Sequence, residues 1–209
     1  MTCGLRFAES TGIPLGLFRT VQQVHGTQVL EARLDAQGNS GVPLQVGTAD
    51  ALWTDAPRLA LVVRTADCIP LLIEDGRTGN VAAVHSGWKG TLGEIAKFAV
   101  EAFKAHGSQV ADLRCALGPS IQSCCYEVDE ALARRFEGGF GSPTVIERNG
   151  RSYLDLARAL GVTLKRQGLL PEQVDNLGMC TACDGARFFS HRRDRGATGR
   201  HWSYILKAG

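Results

Sequence analysis

The chain has 209 residues, enough for one domain that buries a core without covalent staples. Its 23 basic and 21 acidic residues leave a net charge of +2, which gives no general attraction to nucleic acid or to a membrane surface. No apolar run approaches the roughly 18 residues of a spanning helix. The opening MTCGLRFAEST also lacks the apolar stretch of a secretory signal, so the sequence predicts a cytoplasmic protein.

Taken in chain order, the first residue with chemistry to offer is His25, set among alternating apolar positions in VQQVHGTQV. Apolar runs at 59–63, 69–73, 81–84 and 113–117 read as buried strands. The pattern then predicts a helix over 91–106, capped by Thr91 with Glu94 three residues on. A second helix is expected at about 128–137, started by Asp129 or Ser123, and a third at about 155–167. The tail ends in a strand at 203–206. Strands and helices mix without strict β-α-β alternation and no linker divides the chain, so residues 1–209 read as a single α+β domain.

Seven cysteines cannot all pair with one another, and without an export signal reduced thiols are the default. Cys3, Cys115, Cys124 and Cys125 read as small, inert residues, the commonest role of a free cysteine. Cys180 and Cys183, in CTAC, read as two thiols in one turn, with a second zinc conceivable only if two more ligands approach them. Cys68 is different, because DGRTGN turns the chain between IPLLI and VAAV. Antiparallel pairing about the middle of that turn sets Cys68 opposite His85 and Ile73 opposite Asn80. Opposed side chains share a face with Cβ atoms about 4.5–5.5 Å apart, within reach of a common metal ion. The same pattern also fits a packed thiol and a histidine hydrogen-bonded to backbone, and spacing alone does not bring His25 to the hairpin.

The ordered set QVHGTQV, ADALWTD, TADCIPLLI, VAAVHSGWKGT, LGPSIQSCCYEVD and FFSHRRDRGATGR resembles the YfiH/laccase-domain family. Its members have been described as polyphenol oxidases, as purine nucleoside phosphorylases with adenosine deaminase activity, and as peptidoglycan editing factors. The resemblance runs from about residue 6 to the C-terminus. It implies two mixed β-sheets packed face to face and flanked by helices, as in cysteine hydrolase-like toxins. It also implies one zinc held by His25, Cys68 and His85. Family members carry a further N-terminal segment before an Asn-Arg pair. Here Met1 stands close to that point and Leu5 replaces the Asn, so the chain reads as short at its N-terminus.

Three protein ligands leave a zinc position open, which is the pattern of a catalytic site. The implied reaction is phosphorolysis of adenosine, inosine or methylthioadenosine, with adenosine deamination beside it. The partners expected are a small-molecule nucleoside and phosphate. Arg6 and Arg200 are singled out as anion ligands from a set that also holds Arg64, Lys89, Arg192, Arg193 and Arg195. Trp88 is singled out as a wall for the base, with Tyr126 as another candidate. Asp67 is a candidate base beside Cys68 and equally a candidate anchor for the strand. The rival chemistry is a Cys68 thiolate with His85 as base, hydrolysing an amide of a peptidoglycan precursor. Copper-dependent phenol oxidation is a further alternative, disfavoured by a total of five histidines.

Overall fold

The computed structural model describes residues 3–34 and 43–207. In chain order its strands are β1 (Phe18–Gln22), β2 (Val29–Glu31), β3 (Leu44–Thr48), β4 (Ala51–Thr54), β5 (Ala60–Thr65), β6 (Ile69–Asp75) and β7 (Val81–Ser86). They continue with β8 (Leu113–Leu117), β9 (Glu127–Val128), β10 (Val145–Arg148), β11 (Arg151–Leu154), β12 (Val174–Asn176) and β13 (His201–Leu206). The helices are α1 (Cys3–Thr11), α2 (Trp88–Leu92), α3 (Ile95–Ala105), α4 (Glu130–Phe140) and α5 (Leu156–Arg166).

Two mixed sheets carry the fold. One has the order β13-β5-β1-β3 and the other β12-β8-β6-β7-β4-β2, with a small sheet β10-β11-β9 beside them. Period-two alternation explains how each strand serves two layers. On β5, Leu61 and Val63 enter the core between the sheets, while Ala60 and Val62 face the other way, towards Phe7 and Ala8 of α1. On β7, Val81 and Ala83 face the first sheet, while Ala82 and Val84 join Ile95, Val100 and Phe103 of α3. The result is the expected α+β architecture of helices around two facing sheets. Among the described residues no helix is long and apolar enough to cross a membrane.

Two local expectations need correction. The helix expected over 91–106 is broken into α2 and α3 at Gly93 and Glu94, and Glu94 has φ +57°. Thr91 does not cap it. Its hydroxyl donates to Gly87 O and lies 2.9 Å from Ser86 Oγ, deep in the core. The hairpin register is also displaced by two residues, so that Pro70 rather than Cys68 opposes His85 and Ala82 rather than Asn80 opposes Ile73. The cause lies in the turn, where Asp75 Oδ1 accepts from the amides of Arg77 and Thr78. Thr78 is thereby withdrawn from pairing, and the ladder resumes at Asn80, whose carbonyl accepts from Asp75 N. A two-residue displacement preserves the face of every side chain. The remaining helix starts agree with expectation: the Asp129 carboxylate accepts from Leu132 N at the start of α4.

Candidate metal centre

His85 follows Val81 and Ala83 on the β7 face turned towards the opposite sheet, at the end of the strand. Cys68 stands one residue before β6, directly after Asp67, whose φ is +88°. His25 sits in the loop between β1 and β2 and also has positive φ, +61°. Left-handed backbone at a non-glycine residue is uncommon and is held only where surroundings enforce it. For His25 the enforcing group is Asp50. Its carboxylate is fully buried and accepts from the amides of Val24, His25 and Gly26. Oδ1 of the same residue lies 2.7 Å from His85 Nδ1. One buried carboxylate thus fixes both the loop of the first histidine and the ring of the second.

The outcome is that the ligand atoms of His25, Cys68 and His85 lie within 4.8 Å of one another. A carboxylate can only accept, so His85 Nδ1 carries a proton, and Nε2 is the nitrogen that a metal would engage by displacing the second proton. Two imidazoles and a thiol at this separation are a donor set that fits a metal ion. Burial pushes the Cys68 thiol up, but hydrogen bonds from His25 and His85 outweigh it and bring the thiol down to about 7. Burial pushes His85 down, yet the Asp50 and Cys68 partners raise it to about 9. Gly87 is the packing consequence. A Cβ there would meet Cys68 Sγ at 2.8 Å and His25 Cδ2 at 3.1 Å, so only glycine fits behind the cluster.

The cluster opens into a cavity of about 360 Å³, within the range of small-ligand sites. Its walls bring together His25, Asp67, Cys68, Trp88 and Arg200 from the sequence expectations, and Arg192 from the wider set of basic residues. Arg6 is not brought there. It is exposed on α1 and is not among the residues that line the cavity. Both Asp67 oxygens are engaged, accepting from the Thr181 hydroxyl and from Arg192 N, as an anchor would be. Arg193 is tied to Asp194 and to the carbonyls of Thr181 and Phe188. Cys115 is buried in apolar surroundings that push its thiol up to about 12, in keeping with an inert role, and the Cys3 side chain lies outside the described residues.

Two residues escaped the sequence reading. Asp50 was signalled only by an acid inside the apolar run ADALW, and His191, on the cavity wall, only by its place in the tail.

Fold and site together define a two-sheet α+β protein with a His-Cys-His cluster, of which His25 and Cys68 line the adjoining cavity. The family model described as multi-copper polyphenol oxidoreductase laccase matches residues 4–208, and the chain belongs to that family, the group that includes YfiH. Among its relatives, a purine nucleoside phosphorylase of Deinococcus radiodurans is 38% identical over 201 residues, covering 96% of this chain and 74% of that one. An adenosine deaminase from an unknown prokaryotic organism is 31% identical, covering 97% and 80%. The crystal structure of YlmD from Geobacillus stearothermophilus superimposes with a TM-score of 0.90 at 32% identity, covering 99% and 79%.

Proposed function

We propose that this chain is a zinc-dependent purine nucleoside phosphorylase that also deaminates adenosine. The observation that carries the reading is the His25, Cys68 and His85 cluster opening into a cavity that holds both cationic and aromatic walls. The names of the relatives supply the substrate class. When bound, zinc supplies Lewis acidity and a water of lowered pKa at its open position. The other tasks fall to side chains. In phosphorolysis a phosphate oxygen replaces the base at C1′ of the ribose, giving ribose 1-phosphate and free base. Arg192 and Arg200 offer planar, permanently charged donors to the phosphate. Trp88 offers an aromatic surface to the purine, Tyr126 backs the Arg192 guanidinium at 5.0 Å, and Ile121 and Leu156 add apolar wall. Asp67 holds Arg192 through its backbone amide and so sets the position of that wall.

The choice of zinc over copper rests on the ligand inventory. Of five histidines, His25 and His85 belong to the cluster and His191 lines the cavity. His106 lies against Trp53 and His201 against Phe188 and Phe189, and among the described residues neither belongs to a cluster of metal-binding side chains, which the several copper ions of a laccase would require. The test is product analysis of adenosine and inosine incubated with zinc-loaded protein, with and without phosphate, beside a Cys68→Ala control. Free base and ribose 1-phosphate that require both phosphate and Cys68 are expected. Absence of turnover on both nucleosides with zinc bound would overturn the reading.

One observation favours a second reading. Asp50, His85 and Cys68 form a carboxylate–imidazole–thiol chain of the kind that activates a nucleophilic cysteine, which supports an amidohydrolase acting on a peptidoglycan precursor. Stoichiometric zinc that shields Cys68 from alkylation separates the two, because a metal-bound thiolate is no longer a free nucleophile.

A further inference from the structure

Four more cysteines converge on one point away from the His-Cys-His cluster. Cys124 and Cys125 lie between β8 and β9, Cys180 and Cys183 after β12, and the four sulfur atoms are within 4.8 Å of one another. Cys183 Sγ is 3.4 Å from Cys124 Sγ and 3.3 Å from Cys125 Sγ. We infer that Cys124, Cys125, Cys180 and Cys183 form a second metal site, a zinc tetrathiolate that joins two loops of the cavity wall.

Three features of the cluster carry the assignment. The first is geometry. Sulfurs bound to one tetrahedral zinc at about 2.3 Å stand about 3.8 Å apart, a spacing that fits four atoms within one small sphere. A disulfide instead brings a single pair to about 2.05 Å, and here Cys183 is shared almost equally between two neighbours. The second is the turn. Gln122 N donates to Cys180 Sγ at 3.5 Å, so the first sulfur of the Cys-x-x-Cys turn faces the segment that carries Cys124 and Cys125. The third is charge. Arg148 donates to the carbonyls of Ser123 and Cys124 and so sets a cation against a cluster whose four thiolates exceed the charge of one dication. Each zinc–sulfur bond that forms releases the proton of that thiol, or uses a thiolate already present, and no electrons change hands.

The position explains what the metal would do. Ser120 pairs with Cys180 in an isolated parallel bridge, Ile121 N donates to Asp67 O, and the Thr181 hydroxyl donates to Asp67 Oδ1. The four sulfurs therefore tie together the loops that supply Ile121 and Tyr126 on one side and His191 and Arg192 on the other, all on the cavity wall. Chain segments almost sixty residues apart are closed into one unit, and such metal clips contribute directly to folding.

The test is zinc stoichiometry of protein purified under reducing conditions, with the ligand shell read by X-ray absorption. Two zinc ions per chain are expected. The double variant Cys124→Ser, Cys183→Ser should keep one. The double variant His25→Ala, His85→Ala should keep one with an all-sulfur shell at about 2.3 Å. If either variant fails to fold, a sulfur-dominated shell with two ions in the unaltered protein decides the question alone. A single zinc with four freely titrating thiols overturns the site. So does a mass lowered by the hydrogens of one or two disulfides, or iron in place of zinc.

Discussion

Asp50 Oδ1 and His85 Nδ1 are 2.7 Å apart, and the two side chains are 0% and 3% exposed. Burial pushes the Asp50 carboxyl up, but the His85 ring and the amides of Gly26, His25 and Val24 outweigh it and hold it below the usual carboxylate range. Its charge is therefore maintained where it orients one ligand ring and the backbone of another. Asp50→Asn keeps the shape but loses the charge and permits the amide to present its NH₂ group to His85. Partners of metal-binding histidines typically account for about 10–100-fold in metal affinity. Zinc affinity of Asp50→Asn, measured by competition with a chromogenic chelator, is expected to fall by about that factor. An unchanged affinity would show that Asp50 only supports the fold.

Gly87 makes a sterically distinct prediction. Its missing side chain leaves room for Cys68 Sγ and the His25 ring, and no backbone strain is involved because its φ is −84°. Gly87→Ala should thus act through displacement of ligands. Overpacking of this kind costs about 1–3 kcal/mol. The expected result is a modest loss of thermal stability in the metal-free protein and a larger loss, at least about tenfold, in zinc affinity. Equal stability losses with and without zinc would place the clash elsewhere.

The contrast between what was legible in the sequence and what was not follows the range of each interaction. Runs such as LALVV and VAAV declare their strands because burial on both faces is a local property of composition. That Cys68 and His85 come together was readable because both flank one short turn, but their direct opposition was not, since the Asp75 turn moves the register by two residues and sets Pro70 opposite His85. The break after α2 was hidden because its cause is remote. A Cβ at Gly93 would meet Thr27 Cγ2 at 2.5 Å, so the His25 loop presses on the point where the helix stops. Asp50 was hidden for a similar reason, since its partners are backbone amides some 25 residues away. The vicinal pair Cys124 and Cys125 read as inert, and only the fold brings the Cys-x-x-Cys turn against it.

Two arginines that the sequence treats alike are separated by the fold. Arg200 lines the cavity, with NH1 donating to its neighbouring carbonyls of Thr198 and Gly199, whereas Arg6 does not reach the cavity wall. Loss of a charge-assisted hydrogen bond to phosphate costs about 1.5–3 kcal/mol. Phosphate titrations should show KM raised at least about tenfold in Arg200→Ala and unchanged in Arg6→Ala. A larger effect in Arg6→Ala would mean that α1 moves over the cavity when substrate binds.

Asp75 gives a prediction on stability that is independent of the metal centre. Its side chain is buried in the β6–β7 turn and accepts from the amides of Arg77 and Thr78. Burial pushes the carboxyl up, while the Ser108 hydroxyl beside it and the two amides pull it down further, to about 2. A carboxyl lowered by folding from 3.8 adds stability that is fully present above its unfolded value and is lost as pH falls from about 4 towards 2. Asp75→Asn keeps an acceptor but not the charge, and the expected cost at neutral pH is about 1 kcal/mol. Urea unfolding of the two proteins at a series of pH values checks both size and sign. The difference between them should be constant above about pH 5 and should shrink below about pH 4. A difference that stays constant to pH 2 would mean that the turn depends on the shape of the side chain and not on its charge.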